Sequence, residues 1–137
     1  MEGCRTVITH IASTSVYVSN QDRALDFYTK QLGFEVRSDQ AMGPNAPRWI
    51  EVAPPGAQTR LVLYQPTPEM PGASTYEDAL AQIGKFVNFI FEVDDMQATH
   101  AALSARGVEF VDPPAQQFWG WWATIKDPDG NVIGLHQ

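Results

Sequence analysis

The chain has 137 residues, a formal net charge of −7, 44% hydrophobic and 18% charged residues, which suits one globular domain with an ordinary core. The acidic surplus excludes nucleic acid as a natural partner, since phosphates demand a basic face. No apolar run approaches the roughly 20 residues that cross a bilayer, and Met1-Glu2-Gly3-Cys4-Arg5 lacks the apolar core of a secretory signal. The expectation is a cytoplasmic protein with no membrane partner. Cys4, the single cysteine, has no mate for an internal disulfide and fits a reducing compartment.

In chain order, the first strand alternates: Val16 and Val18 share one face, while Ser13, Ser15 and Tyr17 share the other. Asn20 stands as a helix N-cap, and Ala24, Phe27 and Tyr28 recur at helical spacing until Gly33 ends the helix. Strands are expected at 34–38, 48–53 and 58–65, with Pro54-Pro55-Gly56 as a turn. Pro66 to Gly84 reads as a linker, extended over its proline-rich start and helical over 75–83. A second alternating strand puts Phe89, Phe91 and Val93 on one face and Asn88, Ile90 and Glu92 on the other. Asp94 then caps a helix that ends at Gly107, before strands at 109–112, 121–126 and 131–136, with Pro128-Asp129-Gly130 as a turn.

Read against itself, the chain repeats. Ser13 to Tyr28 lies over Asn88 to Leu103, Leu32-Gly33-Phe34 over Arg106-Gly107-Val108, and Val52 to Gly56 over Lys126 to Gly130, at an offset of about 75 residues that falls by one at the glycines. The fold class expected is α+β: two βαβββ modules, at 11–65 and 85–137, joined by a linker at 66–84 and forming a mixed-sheet cleft within a single domain. In each first strand the polar-bearing face is where a pocket belongs, because the apolar face is needed by the helix.

The doubled motifs Ala24-Leu25-Asp26-Phe27-Tyr28 to Leu32-Gly33-Phe34, Arg106-Gly107-Val108 and Asp127-Pro128-Asp129-Gly130-Asn131 resemble the vicinal oxygen chelate superfamily, which holds glyoxalase I, extradiol dioxygenases and the bleomycin-resistance proteins. The resemblance implies a homodimer whose modules close within one chain or exchange between two. It also implies one metal ligand from the first and one from the last strand of each module, and those positions here are Ser13, Val62, Asn88 and Gly134. Valine and glycine offer no side-chain donor, and neutral serine and asparagine oxygens hold a divalent ion weakly. A set displaced by two residues would use Tyr64, Glu92 and His136.

The remaining candidates divide by context. His10 precedes the first strand and reads as a terminal residue, and His100 as a helix residue; His136 is the histidine best placed for the pocket. Glu51 and Glu92 are carboxylates that burial could turn into general bases. In Phe118-Trp119-Gly120-Trp121-Trp122, adjacent tryptophans of a strand point to opposite faces, so Trp121 or Trp122 faces the pocket side. The expected ligand-binding set is Ser13, Ser15, Tyr17, Tyr64, Asn88, Glu92, Trp119, Trp121, Trp122 and His136, with no metal, no cofactor and no catalytic residue. The resemblance and this set imply a protein that binds a small hydrophobic, aromatic or cationic molecule, as in drug sequestration. The alternative is an enzyme: a metal-dependent lyase or dioxygenase with displaced ligands, or a metal-independent isomerase.

Overall fold

A computed structural model describes residues 7–69 and 76–137. Cys4 and the linker residues 70–75 lie outside them. Among the described residues, eight strands form two four-stranded mixed sheets. The first has the order β1-β4-β3-β2, from β1 (Ser13–Tyr17), β2 (Glu35–Gln40), β3 (Trp49–Ala53) and β4 (Arg60–Tyr64). The second has the order β5-β8-β7-β6, from β5 (Phe86–Glu92), β6 (Glu109–Gln117), β7 (Gly120–Lys126) and β8 (Val132–His136). In each sheet the first strand pairs in parallel with the last, and the other pairings are antiparallel. The helices are α1 (Gln21–Asp26), α2 (Tyr76–Gln82) and α3 (Met96–Ala105). The two halves are thus the expected βαβββ units.

The core is one cluster shared by both halves. The inward parity of the first sheet supplies Val16, Val18, Ile50, Val52, Leu61 and Leu63, and that of the second supplies Ala123, Ile125, Ile133 and Leu135. Phe27, Tyr28, Met96 and Leu103 come from the helices. Helices α1 and α3 are each fixed at their start by a side-chain oxygen that takes up a free amide of the first turn. Asn20 accepts from Arg23 N at 2.9 Å, and Asp95 accepts from Ala98 N at 3.0 Å. The cap of α3 is therefore Asp95 and not Asp94. Met96 is fully buried and its amide donates to Gln137 Oε1 at 2.6 Å, so the helix must begin where Met96 points into the core.

The one-residue fall in the repeat offset has a structural cause. After α1 the chain makes a π-helical turn, Phe27–Gln31, before Gly33 at φ +83°, whereas α3 runs regularly to Gly107 at φ +85°. A π turn accommodates one extra residue in a helix. Phe34 N bonds back to Tyr28 O, and Val108 N to Leu103 O, so Tyr28 and Leu103 are counterparts across the insertion. The extra residue lets both Phe27 and Tyr28 turn inward, at 4% and 0% exposure.

Strand β6 also departs from expectation. It passes through Pro113 and Pro114 to Gln117, where a strand ending at Asp112 was expected. β6 is an edge strand with register breaks at Asp112, so prolines without an amide hydrogen remove no ladder bond there.

The halves are joined by the turn Asp127 to Asn131. Asp127 Oδ1 accepts from the amides of Asp129 and Asn131, and Oδ2 accepts from Tyr28 Oη at 2.9 Å and Asn131 Nδ2 at 2.8 Å. Asn131 Nδ2 also donates to the Tyr17 carbonyl, and Asn131 Oδ1 accepts from Gly84 N at 2.7 Å. Asp129 accepts from the amide and hydroxyl of Ser19 and from Arg23 Nη2. Burial pushes the Asp127 carboxyl up from its ordinary value, against the pull of the bonds from Asn131 and Tyr28. Burial first, and Asp127 second, push the Tyr28 phenol well above its ordinary value, so it stays a donor. Replacing Tyr28 with Phe leaves one carboxylate lone pair of Asp127 without its donor and is expected to lower unfolding free energy by about 1–3 kcal/mol, read from urea denaturation.

Candidate functional site

The faces of the two sheets that turn away from the shared core carry most of the expected site. On the first sheet Ser13 and Ser15 are exposed and Tyr17 is half-buried, with its ring edge-on to Tyr64 at 5.7 Å between centroids. On the second, Asn88, Ile90 and Glu92 are exposed along β5. Ser15, Tyr17 and Asn88 line a small cavity of about 240 Å³ where β1 and β5 approach each other. Ser13, Tyr64 and the remaining candidates lie outside it.

Glu92, His136 and Trp122 come together by register, since Glu92 pairs with His136 and His136 with Trp122. His136 Nδ1 lies 2.7 Å from Glu92 Oε1, and Nε2 lies 3.1 Å from the Trp119 carbonyl. Both partners are acceptors, so only an imidazolium can donate to both. The bonds to Glu92 and then to Trp119 raise the His136 pKa above its ordinary value. Phe118 and Trp119 form the tip of the β6–β7 hairpin, edge-on to each other at 4.8 Å and exposed. Trp121 turns to the core side, where it packs against the shared cluster, and Trp122 turns to the opposite side.

Trp122 stacks on Phe86 at 6.4 Å and an interplanar angle of 14°. Its ring also lies directly over Gly134: a Cβ built there would meet Trp122 Cη2 at 2.2 Å and Cζ2 at 2.8 Å. Phe86 was absent from the set expected from sequence. Its signal was present, because Phe86 shares the parity of Asn88 and Ile90 in β5.

The donor set implied for a divalent metal does not fit one. Ser13 and Asn88 are exposed neutral side chains, Val62 is a buried valine, and the space inward of Gly134 is filled by an indole. The displaced set is not assembled either, for Tyr64 packs against Tyr17 on the other sheet while Glu92 and His136 bond to each other. Among the described residues, no group of three or more His, Cys, Asp or Glu side chains is placed to hold a metal ion. No described helix is long and apolar enough to cross a membrane.

A larger cavity, about 840 Å³, opens on the other side of the sheets, between α3 and the β3–β4 turn. Of the expected set only Glu92 borders it. His10 is exposed before β1, bonded to the Thr9 hydroxyl, and His100 packs edge-on to Phe110 at 4.6 Å on α3. Glu51 pairs with Arg60 at 3.4 Å.

The sequence profile of the Glyoxalase/Bleomycin resistance protein/Dioxygenase superfamily matches residues 7–135. The uncharacterized protein YetH of Bacillus subtilis is 38% identical over 131 residues, covering 96% of this chain and 100% of that one. Among solved structures, TnmS3, described as an antibiotic binding protein from Streptomyces sp. CB03234, superposes with a TM-score of 0.76 at 39% identity, over 97% of this chain and 98% of that one. A superfamily member from Sphaerobacter thermophilus superposes with a TM-score of 0.82 at 36% identity, over 96% and 98% of the two chains. Two βαβββ units, matched along nearly their whole length, place the chain in the Glyoxalase/Bleomycin resistance protein/Dioxygenase superfamily.

Proposed function

We propose that this chain is a metal-free small-molecule-binding protein that sequesters an aromatic, hydrophobic or cationic compound without altering it. The observation that carries this reading is Trp122. Its ring fills the place where a last-strand metal ligand would reach inward, and with Phe86 it offers a stacked aromatic surface instead. Aromatic pairs attract a further flat ring through offset stacking, and their faces attract cations, which the net charge of −7 also favours. The similarity to TnmS3, an antibiotic binding protein, points the same way. Ser15, Tyr17 and Tyr64 supply polar contacts from the neighbouring first sheet and Asn88 from β5 of the second, and Glu92 and His136 border the aromatic surface.

The working unit in this reading is a homodimer. Phe86 and Ile90 are each 55% exposed and Trp49 is 37% exposed, on the faces that the shared core leaves uncovered. Apolar area of this kind is costly in water, and a second copy laid against it would enclose the aromatic surface and turn an open platform into a site. Sedimentation velocity at micromolar concentration is expected to give a particle of twice the chain mass, and a monomer would remove the enclosing partner from the scheme.

Titration with planar aromatic antibiotics is expected to quench tryptophan fluorescence at micromolar levels, and Trp122→Ala is expected to weaken binding about tenfold or more. Absence of quenching, or a stoichiometric transition metal in protein purified without chelators, would overturn the sequestering role. His136 provides a separate check. Its folded-state pKa is raised, so the bonds it donates are fully present below the ordinary value near 6.5 and are lost as pH rises through the higher folded value. An imidazole NMR titration should give a midpoint above that of a free histidine, and Glu92→Gln should bring it back down.

A further inference from the structure

The repeat makes two seams between the halves, and among the described residues only one is closed by side-chain bonds. In the closed seam Ser19 and Arg23 engage Asp129, Tyr28 engages Asp127, and Asn131 bonds to Asp127 and the Tyr17 carbonyl. The repeat carries these six positions onto Asp94, Ala98 and Leu103 around α3, and onto Ala53, Pro55 and Ala57 in the β3–β4 turn. An arginine has become alanine, a tyrosine leucine, an asparagine alanine and a buried aspartate alanine. The side chains that would bridge the second seam are therefore short, and there the cavity of about 840 Å³ opens, bordered by Asp94, Ala98, Leu103 and Ala57 among others.

We propose that this second seam is a ligand site in its own right, separate from the aromatic surface at Trp122, and that it takes a neutral aromatic ring system. Its volume lies within the range typical of small-molecule sites. Its walls include Phe34, Phe89 and Phe91, whose rings lie 5.2 Å and 5.4 Å apart in sequence of contact, all partly buried and with edges and faces left to meet another ring. The equivalent volume on the closed side is filled by the Tyr28 ring, packed edge-on to Phe27 at 5.1 Å, which shows that the seam geometry accepts an aromatic body. Charge at the rim is mixed: Glu92, Asp94 and Asp95 precede α3, while Arg106 follows it about 15 Å along the helix and Arg60 stands on β4, so neither sign of ligand is favoured along the cavity.

The test uses N-phenyl-1-naphthylamine, a neutral aromatic probe whose emission rises in apolar surroundings. Titration of the full chain is expected to give saturable enhancement at micromolar levels. Ala102 lines the cavity yet is solvent-exposed, so Ala102→Trp fills the space from outside the core and is expected to weaken probe binding about tenfold or more. Ala57→Trp fills it from the opposite wall and guards against an effect of α3 folding alone. The titration is repeated in a Trp122→Ala background, which removes the stacking surface proposed above, and saturable enhancement that persists there and falls in the filled variants belongs to the second site. Unchanged binding in both filled variants, loss of binding in Trp122→Ala, or no enhancement in the parent would each overturn the second site.

Discussion

Asp127 holds the two halves of the chain in one arrangement. A buried carboxylate is tolerated only when its lone pairs are taken up, and here four donors do so: two amides of its own turn, the Asn131 side chain and the Tyr28 phenol from the other half. The phenol matters most for architecture because it arrives from a different module. Its position depends on the π turn, which adds the residue that brings Tyr28 inward, and the arrangement of the sheets depends in turn on Tyr28. Asn131 extends the same network to Tyr17 at the end of β1 and to Gly84 before β5, so the strands that carry the candidate site are tied to one turn.

The proposed function rests on what these ties leave exposed. Both sheets give their inward parity to a common core, and the opposite parity is left with serines, an asparagine, a Glu–His pair and aromatic rings. Such a surface can recognise a molecule by shape, stacking and a few hydrogen bonds, and among the described residues no group of three or more His, Cys, Asp or Glu side chains is placed to hold a metal ion. In the proposed reading, the strand positions at 13, 62, 88 and 134 separate this chain from metal-dependent members of the superfamily. Function here is read from those positions and not from the fold.

Much of the fold was legible in the sequence because the repeat doubles every signal. The alternation at Val16 and Val18 and at Phe89, Phe91 and Val93, and the glycines at 33 and 107, fix strand, helix and helix end in both halves. The site was only half legible. Parity separated Trp121 from Trp122 in principle, but which one faced outward depended on the register of β7 against β8. The Trp122–Gly134 contact lies between strands, and a single sequence does not record it. The offset of the repeat fell by one residue within the first helix, a shift equally consistent with a longer loop; only the backbone shows it to be a π turn. Asp94 was the cap expected from sequence, and the burial of Met96 moves the cap to Asp95. The prolines of β6 argued for a strand end, and the edge position of that strand removed the reason.

The indole over Gly134 also bears on how such a scaffold could change its chemistry. A histidine or glutamate placed at 134 would collide with the Trp122 ring before it reached any ion, so gaining a chelating residue there requires the tryptophan to shrink first. That first step would remove the stacking surface and yield no coordination in return. In the proposed binding role, a change toward a metal site at 134 thus passes first through a protein that has lost its stacking surface and gained no ligand there.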